Sequence, residues 1–484
     1  MTHSKAIDSE LCWSSAKKIG KAITDGEVSS RDVVEAHLDR IGIVNGHINA
    51  IVELAAESAR KDADAADADR ARGHVRGPFH GVPITIKDTL DAAGLKTTAG
   101  TIGRKDFVAA ADASAVRRMR DAGAIILGKT NVPEMAGAIE TDNLIYGRTN
   151  NPFDLSRTPG GSSGGDAAII AAGGSPMSVG TDAGGSIRIP AHFCGLAAIK
   201  PTAGRVPRTG QFPPPLGVRS ALFHVSLIAR HVEDLEVGLR VIGGPDGRDP
   251  SIVPMPLGYM SAVSIRRLKI AYFADDGVTM PTSDIVSAIE NTVEALANAG
   301  AVVTHDVPAA AAQAADLYHD ISRGDGGLGV RGFLGSIGTT SFSPLLKQTL
   351  AHILSPPMNS ITEALGAFNR WDMFRFAMTA YLQPYDALIS PIAPFIALHH
   401  GEGFDETSVR GVGYSELHNL TGWPAVAVRV GTSPDGLPVG VQIAAHPWRD
   451  EVALAIAGHL ERVFGGWTMA RAEGRSPSSL VNPA

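Results

Sequence analysis

Apolar and polar positions follow two periods along this chain, and the switches between them mark out its elements. Ser29 or Ser30 caps a stretch that places Val33, Val34, Leu38 and Ile41 on one side, which predicts a helix. Ala55 to Arg72 carries charge all round and predicts a solvent-facing helix. Residues 79–87 then alternate as a strand, and Pro83 with Gly81 upstream favours an edge or strand-start position. Lys87 leaves that strand at its C-terminal end, where α/β sheets usually place functional groups. From Ser114 a helix, a glycine stop at Gly123 and the apolar run Ala124 to Leu127 follow in order. A comparable unit recurs near Ser287 to Thr304, with Ile285, Ile289, Val293 and Leu296 on its helical face. Further along, Val232 to Ile242 reads as a helix, 385–394 as a strand, 424–431 with 436–445 as a hairpin closing the sheet, and Asp450 to Val463 as a last helix. Helices alternating with short apolar strands predict a layered α/β fold on a largely parallel or mixed sheet.

Two stretches escape these periods. Region 305–385 mixes Gly-rich turns (Arg323 to Gly335) with helical segments bearing Phe368, Trp371, Phe374 and Phe376. Pro159 to Thr202 is denser in glycine: nine fall within 159–185, with Ser162, Ser163 and Ser186 beside or near them. Apolar runs at 167–172 and 193–199 separate the clusters, so this is no solvated linker. Such a segment needs left-handed backbone or close backbone approach, leaving room for something small.

Composition narrows the function. A net charge of −7 with no basic stripe argues against nucleic acid or an acidic membrane surface as the main partner. No apolar run reaches the roughly 18 residues of a membrane helix, and the N-terminus lacks a signal-peptide core, so the expected location is the cytoplasm. Cys12 and Cys194 suggest neither disulfide nor metal site, and Cys194 reads as a small core residue. The expected organisation is a single domain over 1–484 with a loose polar tail from about 467 to 484.

The sequence GGSSGG at 160–165, GTDAGGSIRIP at 180–190 with Ser186 lying 24 positions after Ser162, and GLAAIKPT at 195–202 resemble the amidase signature family. GVPITIKD at 81–88, GKTNVPEM at 128–135, YGRTNNPFD at 146–154 and NLTGWPAVAVRVG at 419–431 extend the resemblance over nearly the whole chain. It implies a three-layer α/β/α sandwich around a large mixed β-sheet, with its signature core at about 75–230 and variable substrate-facing structure at about 305–385. It also implies a cofactor-free, metal-free amide hydrolase acting on a small-molecule amide, a homodimer in many members, and a Ser, cis-Ser, Lys triad. Residue by residue, Ser186 takes the nucleophile's place, Ser162 the bridging serine's on a cis peptide after Gly161, and Lys87 the base's. Backbone amides of Ala183, Gly184, Gly185 and Ser186 match the oxyanion hole, while Ser163, Asp182 and Arg188 match supporting positions.

The chemistry makes its own demands on these residues. A serine hydroxyl is a poor nucleophile until a base accepts its proton, and lysine is a base only when neutral. Burial away from carboxylates must therefore depress Lys87 from the usual ~10.4. Asp88 follows at once, but adjacent strand residues point to opposite faces.

Several lookalike motifs fail their context. Gly123 to Thr130 fits the phosphate-loop string, yet its interior is an apolar strand. Gly161 to Gly165 fits a nucleophile elbow without a preceding strand, leaving a Ser, His, Asp hydrolase using His192 or His231 as mechanistic runner-up. Ser14 to Lys17 lacks the companion motifs of the penicillin-binding pattern, and His399 with His400 lacks helical zinc spacing.

For the substrate pocket, Met135, Ile139, Leu144, Ile145, Tyr146, Phe333 and Phe374 form an apolar-leaning set without a charged anchor. They point to a neutral acyl or aryl amide, with esters and carbamates sharing the same kind of carbonyl. The competing reading is one component of a glutamine-dependent amidotransferase, working together with partner proteins. A binding module on a dead scaffold is weakened by the presence of all three triad residues.

Overall fold

Eleven short runs rich in Val, Ile and Ala pair into one mixed sheet in the computed structural model, which describes residues 13–214, 218–324, 328–355 and 360–470. The strands are β1 (Ile51–Leu54), β2 (Pro83–Lys87), β3 (Ile125–Thr130), β4 (Met177–Asp182), β5 (Ala197–Lys200), β6 (His224–Ala229), β7 (Lys269–Tyr272), β8 (Val302–His305), β9 (Ala387–Pro391), β10 (Ala425–Thr432) and β11 (Pro438–Ala445). Their order across the sheet is β1-β3-β2-β4-β6-β5-β10-β11-β9-β7-β8. β2 runs parallel to both β3 and β4, and β7 parallel to β8 and β9, while the remaining neighbours are antiparallel.

The period-2 alternation of the strands sorts their side chains onto two faces. Ile84 and Ile86 of β2, Leu227 of β6 and Val426 and Val428 of β10 join one apolar cluster, covered by helices Ser114–Asp121, Val232–Ile242, Ser283–Asn298 and Asp450–Phe464. Leu127 of β3, Ile228 of β6 and Ala427 of β10 face the other way, under helices Ser30–Ile48, Gly164–Ala171 and Arg188–Cys194. Further along that second face, Ala271 of β7 and Leu388 of β9 pack under Ala314–Ser322, Ile361–Leu382 and Gly413–Thr421. The result is the three-layer α/β/α sandwich expected.

Some local expectations need correcting. The strand ending at Lys87 is interior and buried at every residue, so Pro83 marks a strand start and not an edge. The β10–β11 hairpin also lies inside the sheet, because β9, β7 and β8 continue beyond it. The Ala-rich helix Ala56–Ala71 buries Ala59, Ala63 and Ala66, whose small side chains allow close packing despite the charges around them. Of the turns expected at Arg323 to Gly335, residues 328–335 belong to a helix, Leu328–Ser336. Cys12 and residues 471–484 of the expected tail lie outside the described residues. Among the described residues, no helix is long and apolar enough to cross a membrane.

Candidate active site

The parallel pairing of β2 with β4 brings two strand ends to the same side of the sheet. Ile86 sits opposite Val179, so Lys87 finishes beside the Thr181–Asp182 end of β4. Lys87 is fully buried, and its Nζ lies 2.8 Å from Ser162 Oγ and 2.9 Å from Thr181 Oγ1. Burial pushes this amine down to about 7, against the opposing pull of Asp166 and Asp182. Asp88 turns to the other face, as strand geometry requires, and pairs with buried Lys129 at 3.4 Å.

Ser162 and Ser163 sit on the turn that leads into helix Gly164–Ala171, and the Gly161–Ser162 peptide is cis. The Ser163 N–H donates to the Ser186 carbonyl at 2.9 Å, and its hydroxyl donates to the Thr181 carbonyl at 3.3 Å. These bonds tie the two serine loops together. Gly165 must be glycine for space: a Cβ there would lie 2.3 Å from the Asn131 amide nitrogen. Ser186 follows β4 on a loop ending at helix Arg188–Cys194, is half-buried, and its hydroxyl has no hydrogen-bond partner among the described residues.

Asp182 organises the Ser186 loop. It accepts from the amides of Gly185 (3.0 Å) and Ile187 (3.3 Å), from Arg188 Nε and Nη2 (both 3.0 Å), and from Asn419 Nδ2 (2.9 Å). Burial alone would raise this carboxyl, but the Arg188 guanidinium and these hydrogen bonds hold it well below the usual range. Gly185 has φ +105°, a conformation that L side chains rarely adopt. The Gly185 N–H is committed to Asp182, whereas the neighbouring amides of Ala183, Gly184 and Ser186 have no acceptor among the described residues.

Arg188 uses all five of its N–H donors. Besides Asp182, it donates to the Ser415 carbonyl at 3.0 Å, Gln442 Oε1 at 2.7 Å and Asn419 Oδ1 at 2.6 Å. Both ions of this pair are fully buried. Replacing Arg188 by Met leaves the Asp182 carboxylate buried without its partner, which is expected to lower unfolding stability by roughly 3–5 kcal/mol. Urea denaturation measures this; a loss below about 1 kcal/mol would mean that the pair does not hold the loop in place.

Ser186, Ala183 and Gly184 line a cleft of about 410 Å³. Met135 and Ile139, two of the expected lining residues, do so as well. The other five do not. Phe374 is buried in the helical core with Trp371, and Phe333 packs on Phe212 with ring centroids 5.3 Å apart. Leu144 is exposed on the surface, Ile145 takes its place in a turn where its amide donates to Asn143, and Tyr146 interacts with Thr98, neither of the two lining the cleft. Nor is the cleft as apolar as expected, since the Asp316–Arg410 pair (3.4 Å), His319, His352 and Glu416 also line it.

Several contributors lay beyond sequence reasoning. Asp166 accepts from Thr130 Oγ1 at 2.6 Å and Ser178 Oγ at 2.5 Å, and burial raises its carboxyl to about 6 against the pull of Lys87. Its position directly after GGSSGG was the available signal. The Tyr318 hydroxyl donates to the Ala183 carbonyl at 2.8 Å, and no local pattern announced it.

The lookalike motifs resolve as structural features. Lys129 lies in β3 and donates to the Leu90 carbonyl at 2.7 Å, so no phosphate loop forms around it. Both ring nitrogens of His192 are occupied by backbone, the Phe395 carbonyl at 3.0 Å and the Gly440 amide at 2.8 Å. His231 lies 3.8 Å from Glu461. Cys194 is buried and its thiol is pushed up by desolvation. Ser15 caps helix Ala16–Asp25, and Lys17 pairs with Glu233 at 3.2 Å.

Residues 32–454 match the family model described as Amidase. A glutamyl-tRNA(Gln) amidotransferase subunit of Moorella thermoacetica is 33% identical, with 94% of this chain and 97% of that protein covered. An acylamidase of Rhodococcus erythropolis is 31% identical, with 94% of this chain and 96% of that protein covered. Among solved structures, a fatty acid amide hydrolase superposes with TM-score 0.87 at 25% identity, covering 96% of this chain and 87% of its own. With the signature motifs on adjoining loops of a shared fold and the likeness running through almost all of its length, the chain belongs to the amidase signature family.

Proposed function

We propose that this protein hydrolyses the C–N bond of a neutral acyl or aryl amide through an acyl-enzyme on Ser186. The observation that carries the proposal is Lys87, fully buried, lowered to about 7 by desolvation and 2.8 Å from Ser162 Oγ beside the Ser186 loop. Neutral Lys87 takes a proton from Ser162 as Ser162 takes one from Ser186, and the Ser186 oxygen bonds to the amide carbonyl carbon. The free amides of Ala183, Gly184 and Ser186 are the donors offered to the resulting oxyanion. Lys87 returns its proton through Ser162 to the leaving nitrogen, the C–N bond breaks, and an ester on Ser186 remains. Water attacks that ester by the same relay, releasing the acid and restoring the serine. Esters and carbamates present an equivalent carbonyl and fall within the same proposal.

The second reading, one component of a glutamine-dependent amidotransferase, is favoured by the likeness to the Moorella protein. The isolated chain separates the two when assayed on aryl anilides, primary aliphatic amides, aryl carbamates and glutamine. Turnover of a neutral anilide or carbamate without any partner is the expected result. Activity confined to glutamine, or appearing only with added partner proteins, favours the amidotransferase.

A further inference from the structure

Glu416 sits on helix Gly413–Thr421 and borders the same cleft as Ser186 while being only 8% exposed. It abuts the Ser186 loop: a Cβ added at Gly184 would lie 3.4 Å from Glu416 Cγ and 3.1 Å from the Tyr318 hydroxyl. Its carboxyl makes no hydrogen bond or ion pair with any described residue. The cation that acts on it, Arg188, has all five donors committed elsewhere, two of them to Asp182. The Tyr318 hydroxyl donates to the Ala183 carbonyl. Glu416 is nine-tenths buried, yet its unpartnered carboxyl oxygens are not among the enclosed polar atoms, so they open onto the cleft it lines, where a bound substrate can supply the hydrogen-bond partner.

We propose that Glu416 is a specificity-determining residue whose carboxyl hydrogen bonds to a second uncharged polar group of the substrate, an amide or carbamate placed close to the scissile carbonyl. An amide offers one N–H and one C=O, and a protonated carboxyl offers the complementary acceptor and donor. Burial drives this carboxyl well above the usual range, with Arg188 only partly opposing it, which agrees with an uncharged partner. The inference rests on the proposal that Ser186 is the nucleophile of an amide hydrolase, and it adds the substrate feature that the cleft selects.

The test uses the full chain and two anilides of equal acyl length, N-acetylglycine p-nitroanilide and pentanoic acid p-nitroanilide. Wild type is expected to have the lower KM for the first, and Glu416→Gln, an isostere of the protonated acid, to keep that preference. Glu416→Leu is expected to reduce the preference roughly tenfold, read as a rise in KM for the N-acetylglycyl substrate relative to the pentanoyl one. Glu416→Ala replaces it if the Leu variant does not fold. A preference unchanged by removing the carboxyl, or equal losses on both substrates, overturns the inference. So does a wild type that favours glycine p-nitroanilide and loses that preference in Glu416→Gln, since the carboxyl would then anchor a cation. A wild type silent on anilides, primary aliphatic amides and aryl carbamates alike removes the hydrolase reading itself, which sets that failure apart from turnover without a preference.

Discussion

Replacing Ser186 by alanine is expected to lower kcat on any amide the wild type cleaves by roughly 10⁴- to 10⁶-fold, the range seen when a serine nucleophile is removed. The fold should survive the change. Ser186 is half-buried and its hydroxyl bonds to no described residue, whereas the contact joining the two serine loops runs through its backbone carbonyl. A thermal melt superimposable on wild type, with activity gone, separates a chemical role from a structural one. Activity within tenfold of wild type would remove Ser186 from the reaction.

The second large effect concerns Lys87 and carries a pH signature. With its pKa lowered by burial to about 7, Lys87 is protonated below that value and has no lone pair to accept a proton. The free enzyme's kcat/KM is therefore expected to rise with pH through a midpoint near 7 and to level off above it. Lys87→Ala should cost about 10²- to 10⁴-fold and abolish this rising limb in whatever activity remains. Other buried groups fall in the same window: Lys200, lowered to about 7, Asp234 and Glu461, each raised to about 7, and Asp166, raised to about 6. If the limb persists in Lys87→Ala, one of those groups governs it, and the role given to Lys87 is lost.

Much of this was legible in the sequence because the relevant signals are local. Helix Val232–Ile242 and strand Ile125–Thr130 follow from periodicity, a glycine stop and a short apolar run. The triad candidates were legible through resemblance: the glycine-rich motifs around Ser162 and Ser186 and the strand ending at Lys87 match the family's motifs in order, which neither serine's surroundings alone would have established. What stayed hidden depends on long-range packing. Glu416 and Tyr318 reach the cleft from helices more than 130 residues along the chain from the Ser186 loop, and nothing near either of them in sequence records that approach. Phe374 shows the converse error, since its helix faces the sheet with that side chain and turns Phe376 to the solvent. An aromatic on an amphipathic helix more often fills a core than a pocket. The bond from the Gly185 N–H to Asp182 was hidden in the same way, since only the folded loop brings that amide onto the carboxylate.

The central claim is that Ser186, activated through Ser162 by neutral Lys87, carries the acyl group. Mass spectrometry of the protein acid-quenched during turnover of an activated aryl ester tests it most directly, with peptide mapping of the acylated species. The account predicts one added acyl group, located on Ser186 and absent from Ser186→Ala. An acyl group on Ser162, Ser163 or Cys194, or steady turnover with label on none of the serines, would contradict it.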